Sequence, residues 1–235
     1  MDGVRGGWVM AVTRVVPGSP VEEVSAWCSF ADLWSHSHQR GLWAVTVDIP
    51  IGLPASNVRS ADRKARALLK PGRTSSVFNA PPLCTLGAKS YEDALKWSRD
   101  QTGRGLSRQA YALCPKIREV RDVLEVKDFL HGDYLRAAEV HPEVSFQAMA
   151  GKPMSFHKSL QAGIAERLEL LESHFPNIVD VAVRANVTGP PHPGLDDVLD
   201  AVAAAWTARR LIQGKAKRLG GCERDPDGYP MNIWS

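Results

Sequence analysis

The segment Leu42 to Pro54, LWAVTVDIPIGLP, constrains the chain more than any other stretch. A run of apolar, partly β-branched residues ends at Asp48 and is followed by Pro50, Gly52 and Pro54, the pattern of a strand buried on both faces and stopped by turn residues. An ionised group is costly to remove from water, so Asp48 must sit at the exposed carboxyl end of that strand, be protonated, or face a cation. Ligands of open α/β sheets bind beyond the carboxyl ends of strands, so the first and third options coincide in a metal or phosphate site. Taken alone, an Asp here serves equally well as the cap of the following turn.

Upstream, Asp2-Gly3-Val4-Arg5-Gly6-Gly7-Trp8 runs into Val9-Met10-Ala11-Val12-Thr13, a carboxylate and a glycine-rich turn ahead of a strand. Only Met1 precedes Asp2, although a strand of usual length needs about five residues. Either the start lies further upstream, or the chain is trimmed, or the first strand is completed another way. Ser19-Pro20-Val21-Glu22 reads as a capping box and predicts a helix from there to about Ser37, with Val21, Val24, Trp27, Cys28 and Leu33 as its apolar positions. A helix leading into the Leu42 strand is a crossover unit, so the strands it joins are expected to be parallel.

From 57 to 133 the pattern predicts consecutive helices, a helical insertion within one domain spanning 1–235. One starts near Arg59, one at Ser90, one is capped by Ser107 and stops before Pro115, and a fourth covers Ile117 to Phe129. A strand returns at Leu135 to Val140 and delivers Glu139 near its end, and Pro142 opens a short helix to Met149. A longer helix is expected over Ser159 to Glu172, while Asn177 to Val183 reads equally as strand or helical turn. Pro190, Pro191, Pro193 and Gly194 form a rigid linker into a last helix from Leu195 to Gln213, closed by Gly214.

The last helix carries a second set of acids. Asp197 and Asp200 share one face, and Asp196 and Asp197 lie in the first turn, where capping alone accounts for anions. Asp200 interrupts a run of Val, Leu, Ala and Trp, and a buried charge there needs a partner. Asp2, Asp48, Glu139, Asp197 and Asp200 together are the set of hard oxygen ligands, drawn from separate elements, that a divalent-metal site requires. Two Mg²⁺ or Mn²⁺ ions about 4 Å apart generate hydroxide and stabilise the leaving oxygen of a phosphodiester.

The succession D-G-x-x-G-G-W, V-D-I-P-I-G-L, R-x-x-D-R-x-A-R, G-L-S-x-Q, E-V-H-P-E-V-S-F and D-D-x-L-D-A resembles the DUF429 family of predicted ribonuclease H-like nucleases, over almost the whole chain and in the family's order. The resemblance implies an α/β fold, a ribonuclease H-like mixed five-stranded sheet with three antiparallel strands and further parallel ones, flanked by helices. It also implies that Asp2, Asp48, Glu139 and Asp197 or Asp200 are the acidic positions of a metal-dependent nuclease. The D-x-x-D-A spacing from Asp197 to Ala201 is similar to the carboxylate helix of Holliday-junction resolvases.

Arg59, Arg63 and Arg66 share a helix face by spacing and are candidate binders of substrate phosphate, with Asp62 placed to orient one of them. A solvated charged face is the plainer reading. Lys116, Arg118, Lys152 and Lys158 are weaker candidates, and the cations from Arg209 to Arg218 complement a helix end. His141 suits a general base or a supporting group, or is simply a hydrogen-bonded histidine.

The formal net charge of +3 is too small to establish nucleic-acid binding by itself. The four cysteines, with no CxxC, fit reduced thiols rather than a structural zinc, and without a leader or a long apolar span a cytoplasmic protein with no membrane partner is expected. Three classes follow: a metal-dependent nuclease or phosphodiesterase, an ATP-dependent phosphotransferase of the actin or sugar-kinase type, and a non-catalytic binder of nucleic acid or a phosphorylated metabolite. The phosphotransferase needs a second glycine-rich hairpin, which the sequence lacks. DNA, RNA, a branched junction and a small nucleotide all remain compatible partners.

Overall fold

A computed structural model describes residues 1–129, 136–185 and 192–235. The expected beginning of a strand at Leu135, the end of the insertion near Asp133, and Pro190 and Pro191 of the linker lie outside the described residues.

The chain opens as a hairpin. Strands β1 (Asp2–Val4) and β2 (Gly7–Thr13) pair antiparallel with Asp2 opposite Val9, and the tight turn between them uses Gly6 at φ 82°, a left-handed backbone that glycine adopts without penalty. Strand β2 is buried on both sides. Trp8, Met10 and Val12 join one hydrophobic core, while Val9 and Ala11 join a second, as the two-residue period of a strand requires.

The capping box at Ser19 does not start a helix. Residues Val21–Trp27 form a strand, β3, antiparallel to β2 with Trp27 opposite Trp8 and Val24 opposite Ala11. Two β-branched valines and a ladder onto a buried neighbour outweigh a local capping motif, which stabilises by only about 1 kcal/mol. The helix that does form, α1 (Phe30–Gln39), is capped by Ser29, whose hydroxyl accepts from Asp32 N at 3.1 Å.

Strand β4 (Ala44–Val47) is shorter than the run from Leu42 implies, with Trp43 exposed ahead of it, but Val45, Thr46 and Val47 are buried, and it pairs in parallel with β5 (Arg136–Glu139), Val47 lying opposite Glu139. The short first strand is held by the residue ahead of it. Met1 N donates to Thr46 O at 2.8 Å, Met1 O accepts from Asp48 N at 2.9 Å, and a single parallel bridge sets Asp2 beside Asp48. Among the described residues, regular ladders therefore give sheets of three, two and two strands, the last being β6 (Arg218–Leu219) with β7 (Ile233–Trp234), rather than one continuous ladder of five.

Helices α2 (Ser60–Leu68), α3 (Tyr91–Thr102) and α4 (Arg108–Arg121) follow β4. Instead of breaking at Pro115, α4 runs through it. Its buried stripe of Ala110, Cys114, Ile117 and Val120 is continuous across the proline, and burying it offsets the roughly 3 kcal/mol that an interior proline costs. What was expected as a fourth helix reduces to the end of α4 and a 3-10 turn at Val126–Phe129.

After β5 come α5 (Pro142–Ala150), α6 (Gln161–Glu172) and α7 (Ile178–Ala185), so the ambiguous Asn177 segment is helical. The long helix α8 (Leu195–Ile212) crosses β1, β2 and β4 and supplies one wall of the second core through Val198, Leu199, Val202 and Trp206. The molecule is a mixed α/β fold, and among the described residues no helix is long and apolar enough to cross a membrane.

Candidate functional site

Three carboxylates arrive from three elements at one cleft. Asp48 is the first residue beyond β4, Asp2 stands beside it through the β1–β4 bridge, and Asp200 projects from the second turn of α8, the helix packed over both strands. The cleft holds about 370 Å³, and Asp2, Asp48, His141, Glu143, Lys158 and Asp200 are among its walls. It opens where β4 and β5 end, as the strand-end rule anticipates.

Burial and mutual repulsion dominate the electrostatics. Asp2 is held well above the ordinary carboxylate range, first by burial and then by Asp48 and Asp200, with Lys158 opposing. Burial also raises Asp48, against the pull of His141, Lys158 and the amino terminus. Asp200, only 3% exposed, is pushed up to about 7 by burial, with Asp48 and Glu143 adding to the effect and Lys158 countering it. The amino terminus of Met1 is lowered to about 6 by burial, with Asp2 and Asp48 opposing.

A cation already stands in this field. Lys158, in the loop between α5 and α6, donates to Asp200 Oδ2 at 2.6 Å and lies 3.6 Å from Asp196 Oδ2. Burial works against its charge, but Asp200, Asp2 and Asp196 more than offset this and raise its pKa. Asp200 Oδ1 remains buried with no protein partner.

Glu143 is the residue that sequence reasoning missed. It sits in the first turn of α5, is buried, and adds to the repulsion at both Asp48 and Asp200. Its Oε1 accepts from Arg167, with Arg73 at 3.4 Å, while Oε2 is buried without a partner. The available signal was Pro142-Glu143 directly after a strand, which places an acid on the first turn of a helix at the strand's carboxyl end. Lys158 carried no stronger signal than any isolated lysine.

His141 joins the same wall. Its Nε2 lies 3.1 Å from Ser76 O, and because a carbonyl only accepts, Nε2 carries the hydrogen. In the neutral ring Nδ1 then offers a lone pair, and that atom is buried with no protein partner.

The remaining candidates are placed differently. Asp197 is half-buried one turn before Asp200 and caps α8, Oδ2 accepting from Gly194 N at 2.8 Å. Its pKa is raised, chiefly by burial. Glu139, at the end of β5, lines the same cleft as Asp2 and Asp48, but both its oxygens are taken by protein donors. Its Oε2 accepts from Ile51 N at 2.8 Å and from Arg59 Nη1 at 2.8 Å, and its Oε1 from Arg59 Nη2 at 2.7 Å. Burial raises Glu139, and Arg59 opposes that rise.

Arg59 is 3% exposed and directs every guanidinium donor into the protein, to Glu139, to Asp62 Oδ1 at 2.6 and 3.1 Å, and to Gly52 O at 2.9 Å. That leaves it no donor for a substrate phosphate. Burial opposes its charge, and Glu139 and Asp62 more than offset this, so its pKa lies above the usual value. Asp62 does orient Arg59, and its second oxygen accepts from Ala80 N at 3.0 Å. Arg63 is exposed and bonds Val58 O, while Arg66 bonds Val77 O and Asn79 Oδ1. The three arginines therefore do not form one phosphate-binding face.

The donor chemistry suits a hard divalent ion, with carboxylate oxygens that repel one another and two orphaned acceptors, Asp200 Oδ1 and Glu143 Oε2. Among the described residues, no three His, Cys, Asp or Glu side chains stand close enough together to hold a metal. Ligation would need Asp2, Asp48 and Asp200 to close on the ion.

Residues 1–224 match the model of the DUF429 family, described as a protein of unknown function, and the chain belongs to that family. No curated protein and no solved structure matches the chain.

Proposed function

We propose that this member of the DUF429 family is a metal-dependent phosphodiester hydrolase built on a ribonuclease H-like sheet. The observation that carries the reading is the convergence of Asp2, Asp48 and Asp200, from two adjacent strand segments and one crossing helix, on a cleft at the strand ends. The sheet reading is supported by β1, β2 and β3 running antiparallel, β4 and β5 parallel, and one bridge between Asp2 and Asp48.

In this reading Asp2, Asp48 and Asp200 would hold Mg²⁺ or Mn²⁺. The ion supplies a water of lowered pKa and neutralises charge on the phosphoryl oxygens. His141 Nδ1 and Glu143 Oε2, buried acceptors without a protein partner on the same cleft wall, would be the groups available to accept a proton there. Lys158 offsets part of the anionic field and can turn its ammonium to a phosphate oxygen. Asp197 fixes the start of α8, and the Arg59–Glu139–Asp62 cluster fixes the loop after β4, so both act on the site through positioning.

A non-catalytic binder of phosphorylated ligands is the second reading, favoured by the Lys158–Asp200 pair, which already supplies counter-charge in the cleft. Hydrolysis of bis(p-nitrophenyl) phosphate, with Mn²⁺ or with EDTA, separates the two. The hydrolase reading expects Mn²⁺-dependent turnover that falls about 100-fold or more in Asp48→Asn and Asp200→Asn. Turnover that is equal in EDTA, or unaltered in both variants, overturns it.

A further inference from the structure

Two more depressions continue from the carboxylate cleft along the same face. Phe78 and Asn79 line both the cleft and a neighbouring hollow of about 240 Å³, which also contains Arg66 and Arg104. Asn57, Val58 and Arg104 are shared between that hollow and a third of about 610 Å³, which contains Arg63 and Arg224. The three hollows therefore adjoin in series through shared walls, and together they are referred to as the trough.

Its charge is one-sided. Arg63, Arg66, Arg104 and Arg224 form no ion pair among the described residues; Arg63, Arg66 and Arg224 bond backbone carbonyls and, for Arg66, the Asn79 amide oxygen. Of the acids along the trough beyond the cleft, Asp225 is buried against Arg121 at 2.6 Å, leaving Glu223 as the exposed one. Phe78 is 45% exposed at the junction of the cleft and the first hollow, where an aromatic ring gains nothing from water.

The geometry points to a single-stranded polynucleotide as the ligand, its phosphates following Arg66, Arg104, Arg63 and Arg224 and one base stacked on Phe78 while the strand enters the carboxylate cleft. A row of unpaired cations with an interleaved aromatic fits a chain of alternating phosphates and flat rings. A duplex keeps its base faces stacked inside and offers Phe78 none. The inference rests on the hydrolase reading for the fate of the phosphate in the cleft, but the binding itself does not.

Anisotropy of a fluorescein-labelled oligothymidylate of about 14 nucleotides, titrated with the full chain in EDTA, is the test, with a matching duplex and poly-glutamate as competitors. Four phosphate contacts give a slope of log K against log salt near about −3, by roughly −0.7 per contact. Arg63→Glu with Arg104→Glu should weaken binding more than about tenfold and bring the slope to about −1.5. Phe78→Ala should weaken it about tenfold with the slope unchanged. Duplex or poly-glutamate competing as well as the single strand, or full affinity in either variant, overturns the inference. Strand binding without any Mn²⁺ binding would leave the trough standing and remove the hydrolase reading, and Mn²⁺ binding without strand binding would do the reverse.

Discussion

Arg59→Met tests whether the helix start R-x-x-D-R is a strut rather than a phosphate ligand. The substitution keeps most of the apolar stem but removes all five guanidinium donors, leaving Glu139 with Ile51 N and Asp62 with Ala80 N as their remaining partners. Removing one partner of a buried ion pair costs about 3–5 kcal/mol. A domain is stable by only about 5–15 kcal/mol. With a guanidinium m-value of about 5 kcal/mol/M for a chain of this size, the unfolding midpoint should fall by roughly 0.6–1 M. Tryptophan fluorescence follows the transition. Burial already raises Glu139, and without Arg59 it rises further, so its protonated form is favoured on folding. The penalty should therefore be smaller at pH 5 than at pH 8, because folded-state stability is lost as pH climbs through that raised pKa. Adding Glu139→Gln should recover part of the loss. A midpoint within about 0.2 M of wild type at pH 8, where this cost would be fully expressed, would refute the strut assignment.

Three further expectations concern the cleft. Because the Asp200 carboxyl is pushed up to about 7, its neutral form is favoured on folding, so stability should decline as pH rises from the ordinary carboxylate range to about 7; denaturation series should show Asp200→Asn flattening that decline. Lys158→Gln removes the ammonium that occupies Asp200 Oδ2, and should tighten Mn²⁺ binding about tenfold by calorimetry, whereas weaker binding would mean that Lys158 supports the ion instead of competing with it. In Gly163→Ala, the added Cβ would fall 1.9 Å from His157 O, in the loop that carries Lys158, and the overpacking should cost about 2 kcal/mol, a melting-temperature drop of about 4–8 °C; an unchanged melting temperature would show that the loop yields freely.

Most elements could be read from the sequence because their signals were local. Ser90 and Ser107 cap helices as written, Pro142 opens α5, and the strand expected from Leu42 forms over its second part, Ala44–Val47, directly ahead of Asp48. The misreadings arose where a tertiary partner decided the outcome. Val21–Trp27 became a strand because β2 was there to pair with it, and α4 crossed Pro115 because the core continued beneath it. In the site, Asp2, Asp48 and Asp200 were legible as acids that needed an explanation. That Glu139 is held by Arg59 was not, because that contact spans 80 positions in the chain. The role of Lys158 was hidden for the same reason, its bond to Asp200 spanning 42 positions.

The central claim is that Asp2, Asp48 and Asp200 form one divalent-cation site. Its most direct test is calorimetric titration of Mn²⁺ into the full chain and into Asp48→Asn and Asp200→Asn, at pH 8, where Asp200 is ionised. The account predicts saturable binding in wild type that is lost in both variants while their melting curves remain cooperative. No binding to wild type, or binding that persists unchanged when either carboxylate is gone, would contradict it.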